Sequence, residues 1–251
     1  MFAIISDIHS NLEALTSVME DIEARQVDEI VCLGDIVGYG PDPEPCMDIV
    51  MRYARFSISG NHDYAVLTEP EGFVPMARKA IEYTRRVMTE NIPSVPRKQE
   101  RWEYLKSMLL RKEEGDHYFV HGSPRDPRYE YILPTDVAYG LTDKLEEIFS
   151  MFKSMCFVGH SHMPGVFTDS MEFMRPSEIS YEYEHKRGKI VVNVGSVGQP
   201  RDNDRRPCYV IVDGGHITFC RPRYDYQTTG EKIRRIPELD DYLAERLALG
   251  R

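Results

Sequence analysis

Short runs of apolar, β-branched or aromatic residues recur along the chain at Phe2–Ile5, Glu29–Leu33, Phe56–Ser59, Tyr118–Val120, Met155–Val158, Lys189–Val192, Cys208–Val212 and Ile217–Cys220. Each is bounded by Gly, Pro, Asp or Asn, a pattern that predicts strands. After the first run, Leu12, Leu15, Val18, Met19 and Ile22 repeat at helical spacing. They predict a helix from about Leu12 to Arg25 with an apolar stripe and with Asn11 as its cap. Strand, helix and strand repeated through residue 60 imply βαβ units and a largely parallel sheet. From about Gly165 to Arg223 the strands are joined by tight turns, among them Asp213-Gly214-Gly215-His216, and imply a second, mainly antiparallel sheet.

Two segments stand apart from this alternation. Residues 64–112 carry helical patterns at about Pro75–Asn91 and Gln99–Leu110, with Trp102, Leu105 and Leu109 on one face, and are expected to form a helical cap inserted between two strands. Residues 225–251 place Ile236, Leu239, Tyr242, Leu243 and Leu247 on an amphipathic helical tail that packs on the domain or pairs with a second copy to give a homodimer. No internal repeat is present, and 251 residues suit a single α/β domain spanning 1–251.

Composition narrows the class. With 41% hydrophobic and 29% charged residues the chain resembles an ordinary globular protein, and its net charge of −10 argues against a nucleic-acid partner. The first apolar run is too short, and too soon followed by Asp7 and His9, for a signal peptide or a membrane span, so a cytoplasmic protein is expected. Five cysteines without a C-x-x-C pair indicate neither a disulfide framework nor a structural zinc site.

The strand ends carry the chemistry. Asp7 and His9 follow the first run, Gly34-Asp35 the second, Gly60-Asn61-His62-Asp63 the third, His121-Gly122 a fourth and Gly159-His160-Ser161-His162 a fifth. Taken singly, each histidine reads as a loop residue and each aspartate as a helix cap. Taken together, the carboxyl ends of parallel strands gather along one edge, where open α/β folds build their sites. Alternation along an extended chain would aim Asp7 and His9 at one point. The donors are carboxylate and amide oxygens and imidazole nitrogens without sulfur, which suits Mn, Fe, Zn, Co or Ni, with Mn the leading expectation. Seven ligands exceed the three protein ligands usual for a catalytic zinc, and two ions sharing Asp35 would use them all.

These five blocks, in this order and spacing, resemble the signature of the calcineurin-like metallophosphoesterases. Asn193-Val194-Gly195-Ser196-Val197-Gly198-Gln199-Pro200-Arg201 resembles a further loop of the small prokaryotic phosphodiesterase and diadenosine tetraphosphatase-like branches. The resemblance implies two β-sheets packed face to face with helices outside. It implies that Asp7, His9 and His162 hold one metal, that Asn61, His121 and His160 hold a second, and that Asp35 bridges them. It implies hydrolysis of a phosphate mono- or diester of a small molecule or nucleotide by a water acidified between the ions.

His62, beside Asn61 but not needed as a ligand, is the candidate general acid, against the alternative that it only orients its neighbours. Arg201 is a candidate phosphate clamp, against local pairing with Asp202 or Asp204. Asp63 has no assigned role, and His117, His185 and His216 read as solvated. The family's protein Ser/Thr phosphatases carry an acid and an arginine where this chain has Gly38 and Tyr39, which disfavours a protein substrate. The competing functions are a nuclease and a binding scaffold that has lost catalysis.

Overall fold

The computed structural model describes residues 1–251. Strands β1 (Phe2–Ile5), β2 (Glu29–Cys32) and β3 (Ala54–Ser57) alternate with helices α1 (Leu12–Ala24) and α2 (Pro43–Tyr53). Helices α3 (Asn61–Leu67), α4 (Pro75–Thr89) and α5 (Pro96–Ser107) follow, then β4 (Arg111–Glu114), β5 (His117–Val120), α6 (Pro134–Ala138), α7 (Thr142–Ser150) and β6 (Met155–Val158). The chain continues through β7 (Gly165–Thr168), β8 (Phe173–Met174), β9 (Glu182–Glu184), β10 (Ile190–Asn193), β11 (Tyr209–Asp213) and β12 (His216–Cys220). It closes with α8 (Tyr226–Arg234) and α9 (Asp241–Leu249).

The strands form two six-stranded sheets, in the orders β3-β2-β1-β11-β12-β9 and β4-β5-β6-β10-β7-β8. Both are mixed, which corrects the expected division into a largely parallel N-terminal sheet and a separate, mainly antiparallel C-terminal one. β1, β2 and β3 are parallel, but β11 and β12 return to extend that sheet antiparallel from β1. In the other sheet β5, β6 and β10 are parallel, with antiparallel strands at both edges. The physical reason is that nearly all central strands are buried on both faces, so their apolar runs do not reveal which neighbour they pair with.

Alternation sorts the β1 side chains between layers. Ala3 and Ile5 join α1 and α2 in one core, while Ile4 meets Phe119, Phe157 and Val192 of the second sheet in another. Tyr118, Val120 and Phe167 pack outward against α7. The result is four layers, helices, sheet, sheet and helices. α1 forms where expected, burying Ala14, Leu15, Val18 and Ile22, and Asn11 Oδ1 accepts from the Ala14 N–H at 3.1 Å.

Within 64–112, α4 and α5 pack beside α2 and α3, and the segment Glu71–Ala77 reaches the cavity described below. Leu109 does not lie on the α5 face with Trp102 and Leu105. It forms a bridge with Ile58, because the chain leaves the helix at Ser107 and turns into a strand. The basic residues of α5 are largely neutralised, Arg101 by Glu44 and Asp48 and Arg97 by Asp48 and Glu100. The tail packs within the chain: Leu239, Leu243 and Leu247 bury against Ala80 and Tyr83 of α4, and Lys232 pairs with Glu13 and Asp42. No helix is long and apolar enough to cross a membrane.

Candidate metal centre

The ligand-type residues follow β1, β2, β3, β5 and β6, so the carboxyl ends of both sheets, not of one, converge. Past the strand ends the ladder continues through the loops. The Asp7 N–H donates to the Gly34 carbonyl, the His9 N–H to Asp35 and the Gly159 N–H to His121, each at 2.9 Å. Asp7 and His9 do not converge by strand alternation. They lie in a turn, with φ of 52° and 48°, and Asp35, His160 and His162 share this left-handed region at 49°, 62° and 59°. Non-glycine residues there cost of order 1–3 kcal/mol each and cluster where function over-determines the backbone. Gly60 is needed for the approach, since a Cβ on it would lie 2.1 Å from Asp35 Oδ1.

Four imidazoles are oriented by backbone carbonyls, which can only accept. His9 Nδ1 donates to Val37 at 3.3 Å, His121 Nδ1 to Leu33 at 2.8 Å, His162 Nδ1 to Gln199, and His160 Nε2 to Tyr129 at 3.2 Å. In each neutral ring the other nitrogen is then a lone pair. Those lone pairs are aimed at other acceptors: His9 Nε2 and His162 Nε2 are 3.1 Å apart, with Asp7 Oδ1 3.2 Å from His162 Nε2 and 3.8 Å from His9 Nε2. Asp7 Oδ1 is buried without a hydrogen-bond partner. Around the second focus, His121 Nε2 stands 3.2 Å from Asn61 Oδ1 and 3.4 Å from Asp35 Oδ2, and Asp35, His121 and His160 form a ligand-spaced group. Asp35 Oδ2 is also 3.7 Å from His9 Nε2, so it stands between the two foci. The outer oxygen of each carboxylate is held by a backbone N–H, Asp7 Oδ2 by His160 and Asp35 Oδ1 by His62. Converging acceptors with anchored outer atoms are the arrangement that cations stabilise.

Electrostatics points the same way. Burial pushes the His160 imidazole down to about 3 and His62 down to about 4, and it holds His9 and His162 below the ordinary imidazole value. Burial alone would raise the two carboxyls, but His162 beside Asp7 and His121 beside Asp35 outweigh it and hold both below the usual range. For His121, burial opposes the charge, yet the Asp35 carboxylate raises it to about 9. Without a cation the two buried carboxylates favour a proton on His121; a divalent cation would supply that charge more fully and would leave the His121 Nε2 lone pair free to ligate.

His62 differs from the other four rings. Its Nδ1 is buried without a partner, and a Cβ on Gly38 would lie 2.4 Å from it. Its ring is 4.4 Å from Tyr39 and 5.1 Å from Phe73, between centroids. Asp63, unassigned from sequence, sits in the first turn of α3, not on an extended segment. Its Oδ1 accepts from the Ile36 and Val37 N–H groups at 3.0 and 3.3 Å, and its Oδ2 from Gly60 at 3.1 Å. It ties the Asp35 loop to the Asn61 helix.

Arg201 is free of the local pairs, since Asp202 pairs with Arg221 and Asp204 with Arg206. Its guanidinium donates to Gln199 Oε1 at 2.9 Å and lines a cavity of about 280 Å³ together with Asp35, Asn61, His62, His160 and His162. His117, read as solvated, is half-buried against Phe2 and Phe157, because it opens β5 at the sheet interface. His185 bonds Ser154, and His216 pairs with Glu184.

Residues 1–215 match the calcineurin-like phosphoesterase superfamily domain. The chain is 38% identical over 262 residues to an uncharacterized protein of Methanocaldococcus jannaschii, covering 100% of this chain and 98% of that one. Among solved structures, a metallophosphoesterase from Sphaerobacter thermophilus is 35% identical with a TM-score of 0.81, covering 100% of this chain and 99% of that one. A hypothetical protein from Pyrococcus horikoshii shares the fold at 20% identity, with a TM-score of 0.74 and coverage of 100% and 99%.

Proposed function

The chain belongs to the calcineurin-like phosphoesterase superfamily, whose members are metal-dependent, and from that premise we propose that it hydrolyses a phosphate mono- or diester of a small molecule or nucleotide with two divalent ions. The observation that carries the reading is the convergence of lone pairs: His9 Nε2, His162 Nε2 and Asp7 Oδ1 around one point, His121 Nε2, Asn61 Oδ1 and His160 around another, with Asp35 Oδ2 between. The donor set fits a borderline divalent ion such as Mn, Fe, Zn, Ni or Co, with Mn first among them. When bound, a pair of such ions supplies an acidified water and withdraws charge from the phosphoryl oxygens.

The chain's own residues do the rest. The carbonyls of Val37, Leu33, Tyr129 and Gln199 hold the imidazoles in one tautomer each, so no reorganisation accompanies the reaction. Arg201 binds a phosphate oxygen from the side of the cavity. His62 protonates the leaving oxygen. In the free protein burial keeps its ring neutral at pH 7, and a phosphate anion seated beside it raises its proton affinity. The absence of an uncompensated basic surface on α5 and the net charge of −10 favour a small substrate over a nucleic acid.

The test is hydrolysis of p-nitrophenyl phosphate and bis-p-nitrophenyl phosphate with Mn²⁺, Ni²⁺ or Zn²⁺, comparing wild type with Asp35→Asn and His62→Ala. Metal-dependent turnover that falls at least about a hundredfold in both variants is expected. Turnover indifferent to either substitution would sink the assignment.

A further inference from the structure

The cavity has a polar floor and an apolar rim. Its floor is the ligand cluster, with Arg201 as the only arginine or lysine among the lining residues. Its rim is Phe73 and Val74, from the segment ahead of α4, and Tyr129 and Tyr131, from the loop after His121. Three of these are left uncovered: Val74 is 60% exposed, Tyr129 47% and Tyr131 43%. Scattered exposed apolar residues need no explanation, but three of them around the mouth of one polar cavity, with half-buried Phe73 beside them, form a patch with a use.

The tyrosines are held in place by construction. The Gly122 N–H donates to the Pro127 carbonyl at 2.7 Å, Ser123 Oγ accepts from the Arg125 and Asp126 N–H groups, and Asp126 Oδ1 accepts from those of Arg128 and Tyr129. Tyr131 stacks on His160, the rings 3.9 Å apart between centroids and 14° from parallel. A rigid loop that keeps aromatic surface in water forgoes about 25 cal/mol per Å² of burial, a cost that a ligand covering it would offset. Tyrosine rings on two-angle side chains lose little entropy when they do so. One guanidinium beside the floor matches one phosphate, not a chain of them, and a cavity of about 280 Å³ holds a phosphate and one ring but not a folded loop or a duplex.

We infer that the substrate is a phosphate monoester or diester whose esterified group is a planar ring system, an aryl or nucleoside group, and that Tyr129, Tyr131, Phe73 and Val74 are specificity-determining residues that sandwich it. The inference rests on the phosphoesterase reading only for the seat of the phosphate.

Phosphonates, in which carbon replaces the bridging oxygen, separate binding from hydrolysis. The dissociation constants of benzylphosphonate, cyclohexylmethylphosphonate and ethylphosphonate are measured by calorimetry on the Mn²⁺-loaded protein, for wild type, Val74→Ser and Tyr129→Ser. Neither substituted side chain stacks on an imidazole, and Tyr129→Ser keeps the carbonyl that holds His160. Stacking is worth about 1–3 kcal/mol per ring, so benzylphosphonate is expected to bind roughly tenfold more tightly than ethylphosphonate and several-fold more tightly than its cyclohexyl analogue. Each variant is expected to erode that preference while changing ethylphosphonate binding less than about twofold. Equal binding of all three ligands overturns the inference, as does equal binding of the planar and saturated rings, or a loss shared equally by ringed and ringless ligands. Turnover of phenyl phosphate and of diphenyl phosphate, a monoester and a diester, is read separately, and the absence of turnover means that neither is hydrolysed. A ring preference without turnover would overturn the phosphoesterase reading and leave the ring site standing, and turnover without a ring preference would do the reverse.

Discussion

Asp63→Asn is a nearly isosteric change whose cost can be worked out from the hydrogen bonds around it. The carboxylate uses both oxygens, Oδ1 for the Ile36 and Val37 N–H groups and Oδ2 for the Gly60 N–H, and the residue is fully buried. Asparagine offers one acceptor oxygen, so even in its better orientation it keeps the Oδ1 pair and turns an amide N–H towards the Gly60 N–H. A buried donor left unpaired costs about 1–3 kcal/mol. Part of that is returned, because burial and the neighbouring Asp35 charge push the Asp63 carboxyl up to about 7, so the native charge is itself held at some expense. The expected net loss is about 2 kcal/mol for Asp63→Asn, and about 4 kcal/mol for Asp63→Ala, which strips all three bonds. Urea unfolding read by far-UV circular dichroism gives the stability, and calorimetric titration with Mn²⁺ gives the second consequence. Loosening the Asp35 loop from the Asn61 helix should weaken metal affinity by at least about tenfold, in the range that lost outer partners cost metal sites. An Asp63→Asn protein within about 0.5 kcal/mol of wild type, with metal affinity unchanged, would refute the view that this carboxylate clamps the two loops together.

Two further expectations follow from neighbouring geometry. Gly38→Ala places a methyl group 2.4 Å from His62 Nδ1 at a φ of +93°. It should lower kcat by roughly a hundredfold while metal content, read by mass spectrometry, stays at the wild-type value. For EDTA-treated protein the pH dependence of the melting temperature should be two-limbed. His9, His62, His160 and His162 have folded pKa values depressed from the usual 6.5, so their contribution is present above 6.5 and lost as pH falls towards the folded values. His121 is raised to about 9, so its contribution is present below 6.5 and lost as pH rises through 9. Stability should peak near neutrality, and Mn²⁺ should abolish the alkaline limb by replacing the His121 proton. A curve that rises steadily to pH 9.5 would contradict this.

Eight of the twelve strands and the residues of the cluster were legible because apolar runs and the Asp, Asn and His at their ends are local signals, whereas β4, β7, β8 and β9 were not among the predicted runs. The helix from Leu12 and its Asn11 cap were legible for the same reason. Sheet membership was not, since β11 and β12 look like members of a C-terminal antiparallel sheet until β11 is seen beside β1. The geometry that joins Asp7 and His9 was not legible either. Left-handed backbone at an aspartate or a histidine is imposed by tertiary hydrogen bonds, and propensity does not announce it. Asp63 stood inside a signature block without an assigned role, and Tyr129 and Tyr131 carried no motif. Their contributions come through backbone N–H groups, a carbonyl and a ring face, none of which residue identity encodes.

The claim that two ions share Asp35 is tested most directly by anomalous diffraction at the Mn edge from crystals grown with Mn²⁺. The expected result is two peaks about 3.5–4 Å apart, one beside Asp7, His9 and His162 and the other beside Asn61, His121 and His160, with Asp35 between them. A single peak, or two peaks of which only one touches Asp35, would contradict it.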